Sequence, residues 1–202
     1  MKTLIWICSL VVLLLMAAVP EVSAEAYLHP ETGMVFPDRL AGMERGTVTD
    51  FEKEHPGYGV SIGYNAPGIT VTIYLYNLGM QSLSDSLESP ELLEHFGQVV
   101  EDVMQAGRMG LYDSLRKTSE SVVVFPPRQS GRGALCATFS CVQQGVERDS
   151  NLYLLTYRNH FLKVRFTSDK SMQAQAEDTL DQFLAYLAAS VAKETAAPGR
   201  AL

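Results

Sequence analysis

The chain is poor in the residues that build most specialised proteins. Its 202 residues include three cysteines and one tryptophan. Trp6 and Cys8 fall in the first apolar stretch, which leaves Cys136 and Cys141 for the rest of the chain. Two cysteines cannot make the disulfide framework of a small secreted scaffold, so stability must come from a buried core. Basic residues are also few: 16 Lys and Arg against 23 Asp and Glu give a formal net charge of −7. That balance argues against a general nucleic-acid binder. The sequence has no G-x-x-x-x-G-K-[ST], no G-x-G-x-x-G between a strand and a helix, and no H-E-x-x-H. Neither a phosphate-cradling loop nor a helical zinc site therefore has a basis. His29, His55, His95 and His160 are scattered, and no metal or other cofactor is expected. Beyond the opening stretch no apolar run is long enough to cross a bilayer.

What is present begins with an export signal. Lys2 supplies a short positive region, Leu4 to Val19 is apolar apart from Ser9, Pro20 breaks the helix, and Val22-Ser23-Ala24 offers small residues for a signal peptidase. A membrane anchor would need about 20 apolar residues and a basic stop signal. Here Glu21 and Glu25 follow instead. Residues 1–24 are expected to be removed, leaving a soluble periplasmic or extracellular protein with no stable membrane span. Residues 25–195 are expected to form one domain, and 196–202 a loose tail.

The middle of the chain reads as strands and two helices. Glu25 to Gly33 has the composition of a loosely held lead-in. Thr47 to Phe51 is a short strand candidate. Tyr58, Val60, Ile62 and Tyr64 alternate with Gly59, Ser61 and Gly63, and after Asn65-Ala66-Pro67-Gly68 the alternation resumes with Ile69, Val71, Ile73 and Leu75. This is a hairpin with turn chemistry at its centre. Ser89-Pro90-Glu91 is a helix start, and Leu92, Leu93, Phe96, Val99, Val100, Val103 and Met104 form its apolar stripe until Gly107 and Gly110. Strands are expected at Ser121–Phe125 (stopped by Pro126-Pro127), Ala134–Val142, Asn151–Tyr157 and Phe161–Thr167, then a helix over Lys170–Lys193. The order β-β-β-α-β-β-β-β-α predicts the α+β class, a mainly antiparallel sheet with two helices packed on it.

That order, over roughly Met34 to Val191, resembles the PsbP-like architecture of extrinsic photosystem proteins, their Ran-binding relatives and some bacterial envelope proteins. Pro56-Gly57-Tyr58-Gly59-Val60-Ser61 and His160-Phe161-Leu162-Lys163-Val164-Arg165-Phe166 are also similar to segments of uncharacterised exported bacterial proteins of this type. The resemblance carries no catalytic motif and implies docking or binding rather than chemistry.

Candidate chemistry is sparse. Gly59-Val60-Ser61-Ile62-Gly63 matches the G-x-S-x-G nucleophile elbow, but that motif needs a strained strand-to-helix turn, and here it lies inside an alternating strand. Carboxylates such as Glu91, Glu94, Glu101 and Asp102 sit mostly off the apolar face of the first helix. If Arg158-Asn159-His160 forms a three-residue turn, Leu152, Leu154, Leu162, Val164 and Phe166 share an inner face. Tyr153, Tyr157, Phe161, Lys163 and Arg165 then share the outer one, with Arg158 at its end. Such a basic-aromatic patch suits an anionic partner. In one strand, Cys136 and Cys141 point to opposite faces about 16 Å apart, beyond the roughly 7 Å limit of a disulfide. The expected function is an exported binding or accessory protein without catalytic activity, docking an envelope protein or small ligand through a sheet face or loops. The alternative is a hydrolase or metal-dependent enzyme assembled from dispersed residues.

Overall fold

The computed structural model describes residues 25–125 and 133–192. The expected leader at 1–24, the Pro126-Pro127 strand stop and the tail at 196–202 lie outside the described residues. Three short strands open the chain: β1 (Tyr27–Leu28), β2 (Val35–Phe36) and β3 (Arg39–Leu40). The expected hairpin follows as β5 (Val60–Ala66) and β6 (Ile69–Tyr76), preceded by β4 (Met43–Asp50). Helix α1 covers Pro90–Arg108, and its Ser89 cap accepts from the Leu92 N–H at 3.3 Å, as the Ser-Pro-Glu start predicts. The meander β7 (Asp113–Val124), β8 (Gly133–Gln143), β9 (Val146–Tyr157) and β10 (His160–Asp169) leads through a single 3-10 turn into α2 (Gln173–Ala192).

Eight strands form one antiparallel sheet in the order β3-β4-β5-β6-β10-β9-β8-β7, while β1 and β2 pair separately. The long pairing of β6 with β10 joins the two meanders. The two helices cover opposite faces of the sheet. Phe183, Leu184, Leu187 and Val191 of α2 pack with Ile62, Ile73, Val164, Phe166 and Tyr153. Leu92, Val99, Val100 and Val103 of α1 pack with Leu135, Leu154, Phe161, Ala137 and Leu152. The class is α+β, as expected, in three layers.

The lead-in is not loose. His29, Thr32 and Met34 are buried, and the Arg158 guanidinium donates to the Thr32 carbonyl at 2.9 Å. Strand β7 starts well before Ser121, because Asp113 to Glu120 pair with β8 despite lacking apolar alternation. Most of β7 faces solvent at the sheet edge, so burial leaves no periodic mark on its sequence.

The central correction concerns the β9–β10 turn. His160 pairs with Tyr157, so the loop has two residues, Arg158 and Asn159, rather than three. Both hold positive φ, 47° and 60°, the backbone of a type I′ hairpin whose twist matches the strands. A one-residue change of register exchanges faces along the whole strand. Leu162, Val164 and Phe166 therefore share a face with Tyr153, Leu155 and Tyr157, not with Leu152 and Leu154.

The cysteines behave as their spacing requires. Cys136 and Cys141 lie in the continuous strand β8, both free and both buried. Cys136 faces α2 beside Tyr153, and burial pushes its thiol up to about 11.

Gly59 is the tightest point of the hairpin. Its φ is +60°, and an added Cβ would fall 1.8 Å from the Leu75 carbonyl oxygen. Gly79 has a similar φ of +74° but nothing within 4 Å. Gly79→Ala is expected to cost about 1 kcal/mol of backbone strain. Gly59→Ala should cost about 3 kcal/mol or more, because backbone must also move. Urea unfolding of the two variants checks this, and equal losses would contradict the close approach.

Candidate functional site

The new register separates the patch expected from sequence. Tyr153 and Tyr157 turn toward α2 and are only 4% and 2% exposed. Phe161 turns toward α1 and is fully buried, with its ring 4.3 Å from His95 and 5.6 Å from Tyr76. Arg158 sits in the turn, tied to Thr32, with its guanidinium 5.6 Å from the Tyr157 ring centroid. Lys163 and Arg165 lie on the α1 face with Phe161, and these three do come together. The single outer face holding all six residues does not exist, because both faces of β9 and β10 are covered by helices.

A different site arises where α1 ends its cover of the sheet. The helix sits over β8, β9 and the near part of β10, while β5 offers only Ser61, Gly63 and Asn65 on that side. Such small residues build no wall of their own. Between the helix flank and β6 a cavity of about 350 Å³ opens. Its floor is Lys163, flanked by Tyr74 and Tyr76. His95, Val99 and Asp102 of α1 line one side, and Phe51, Tyr58 and Leu78 line the other. Tyr58 and Leu78 expose more than 40% of their surface at its mouth.

Tyr76 and His95 in this cavity are held in their neutral forms. Tyr76 Oη lies 2.7 Å from His95 Nε2. Burial, with a smaller push from Lys163, lowers the pKa of His95 against an opposing pull from Asp102. Burial first, then Asp102 and Tyr74, raises that of Tyr76. At neutral pH the tyrosine is protonated and the imidazole neutral, and the two share one hydrogen bond. The pair satisfies itself and offers no activated nucleophile.

Lys163 differs. Its Nζ stands 4.3 Å over the Tyr74 ring and 5.4 Å from that of Tyr76. Among the described residues no carboxylate oxygen lies within salt-bridge distance of it. Burial and then Arg165 lower its pKa, with Asp102 opposing. Asp102 is instead engaged by Gln98 Nε2 at 2.8 Å. Arg165 is also engaged, donating to Ser150 Oγ at 3.1 Å and to Tyr112 Oη at 3.4 Å.

A second cluster joins distant parts of the chain. The His29 and His160 rings meet edge to face at 5.3 Å. His29 Nδ1 accepts from the Thr32 N–H at 3.2 Å and lies 2.9 Å from its hydroxyl. His160 Nδ1 donates to the Arg158 carbonyl at 2.9 Å, and its Nε2 lies 3.0 Å from Glu31 Oε2. Nearby, the Glu52 carboxylate accepts from the Gly57 and Gly59 N–H groups, both at 2.8 Å. Among the described residues no group of three or more His, Cys, Asp or Glu is placed to hold a metal ion. Ser61 is the second residue of β5, paired with Thr49 and Tyr74 on its two sides.

No protein-family model matches the chain, and no curated protein matches it. Five solved chains do. A protein of unknown function from Pseudomonas aeruginosa is 10% identical with a TM-score of 0.43, over 80% of this chain and 93% of its own. The solution structure of cyanobacterial PsbP from Synechocystis sp. PCC 6803 is 14% identical with a TM-score of 0.46, over 86% of this chain and 94% of its own. Both likenesses are distant, at 14% identity or less.

The histidine cluster predicts a pH dependence. Burial, then the neighbouring His160, pushes His29 down to about 4 from its ordinary 6.5, with Glu31 opposing. The unfolded chain then binds more protons than the folded one between these values. Stability is full above pH 6.5 and falls as pH drops toward 4, with His95 acting in the same direction. Thermal unfolding from pH 7 to 4 should show this loss, and His29→Gln should flatten it. An NMR midpoint for His29 near 6.5 would contradict the buried seat.

Proposed function

We propose that this chain is an exported accessory protein that binds rather than catalyses, and that its ligand enters the aromatic cavity above Lys163. One observation carries the reading: a half-buried ammonium stands over two tyrosine rings with no carboxylate within salt-bridge distance among the described residues. A charge partly withdrawn from water with no protein carboxylate beside it is less well stabilised than an exposed one, and such groups mark sites where a ligand can supply the missing partner. The exposed apolar side chains at the mouth support the same reading, since clustered apolar surface marks interaction sites.

The residues around the cavity favour binding over reaction. Tyr76 and His95 are hydrogen-bonded to each other, and Ser61 sits in a regular strand with no base beside it in the ladder. Among the described residues no helix is long and apolar enough to cross a membrane, which accords with a chain released on the far side of one. Export itself rests on the leader sequence.

Two measurements test this reading. A panel of small aromatic probes, titrated while backbone NMR signals are followed, should shift Tyr74, Tyr76, His95 and Lys163 together. Shifts gathered at a different cleft, or spread over the surface, would overturn the location. A serine-directed fluorophosphonate should leave Ser61 unlabelled, and Ser61→Ala should change no ester hydrolysis. Stoichiometric labelling of Ser61 would restore the hydrolase reading.

A further inference from the structure

The cavity above Lys163 has a polar end and an apolar end, and their chemistry narrows what fits. At the polar end the ammonium is stabilised by the faces of Tyr74 and Tyr76, which attract a cation but take up few of its N–H donors. Those donors are left to water, which a ligand's acceptor oxygens can replace. Arg165, the next basic side chain on that face of β10, spends its guanidinium on Ser150 and Tyr112. The cavity therefore presents one point charge and not the planar fork that suits a dianionic phosphate. Asp102 on the opposite rim adds a fixed negative charge, which penalises a second negative charge on the ligand.

Away from the ammonium, Phe51, Tyr58 and Leu78 supply apolar surface facing Val99 on the α1 side, and much of the lining is aromatic rings. A space of about 350 Å³ lies at the small end of ligand pockets. Resting on the binding reading above, we propose that the cavity takes a small organic acid with one negative charge: a single carboxylate carried on a flat apolar body. The carboxylate sits on Lys163 Nζ, the body lies between Tyr74 and the α1 flank, and Asp102 rejects acids of higher charge. The carboxylate supplies the acceptors that the tyrosine rings lack, and in a half-buried site such a charge-assisted hydrogen bond is stronger than in water.

Calorimetry on the purified protein with phenylacetate, its neutral isostere phenylacetamide, and inorganic phosphate tests the assignment. Phenylacetate should bind in the cavity, phenylacetamide at least tenfold more weakly, and phosphate without saturation. Lys163→Met should abolish the preference for the acid over the amide. Asp102→Asn, a change at an exposed helix position, should tighten phenylacetate binding at least twofold, and it keeps the test open if Lys163→Met does not fold. Equal binding of acid and amide with shifts at Tyr74 and His95 would overturn the acid while leaving a binding cavity. Saturable binding of phosphate, or no tightening in Asp102→Asn, would overturn the single-charge assignment. Failure of both aromatic probes to perturb the cavity would overturn the binding reading as well.

Discussion

The Arg158-Asn159 turn is the constraint on which the architecture rests. Two residues at positive φ, neither of them glycine, close β9 onto β10. Such a backbone costs on the order of 1–3 kcal/mol per residue unless its surroundings hold it. They do. Asn159 accepts from the Leu83 N–H at 2.7 Å, Arg158 reaches the Thr32 carbonyl, and His160 donates to the Arg158 carbonyl. The turn thereby ties three remote segments, the opening hairpin, the loop before α1 and the central strands, at one point.

From that register the two faces follow. Pairing carries the parity of β10 into β6 and β5 on one side and into β9 and β8 on the other. One set of side chains meets α2 and forms the larger core. The other meets α1, and along this set Phe161, Lys163 and Arg165 pass from full burial to partial cover. Lys163 lies where the helix edge thins out beside Tyr74 and Tyr76. A loop longer by one residue would send Lys163 into the α2 core, where a charged group could not stay. The cavity is thus a consequence of turn length as much as of the residues that line it.

Some of this was legible in the sequence. The β5–β6 hairpin announces itself through alternation and Pro67-Gly68, and α1 through Ser89-Pro90-Glu91, because in both cases local chemistry and burial agree. The faces of β9 and β10 were not legible. Leu152 to Tyr157 are buried on both sides, and a strand covered by helices on both faces loses the alternation that would assign them. With no glycine in Arg158-Asn159-His160, nothing separated a two-residue loop from a three-residue one. The candidate binding residues were grouped on one face, yet they divide between two, Phe161, Lys163 and Arg165 on the α1 side and Tyr153 and Tyr157 on the α2 side. The partners that give Lys163 its meaning, Tyr74, Tyr76 and His95, come from β6 and α1 and carry no spacing signal. His29 meets His160 through the same turn, which no local pattern encodes.

The ε-ammonium of Lys163 is the group whose state depends most directly on this account. Following its 13Cε signal through an alkaline titration, assigned by its absence in Lys163→Met, measures that state in the folded protein. A half-buried ammonium without an acid partner should lose its proton below the ordinary lysine value of about 10.4, because burial favours the neutral amine. Loss of the Lys163 proton at or above that ordinary value would mean that its charge is freely solvated, and would contradict the cavity built on it.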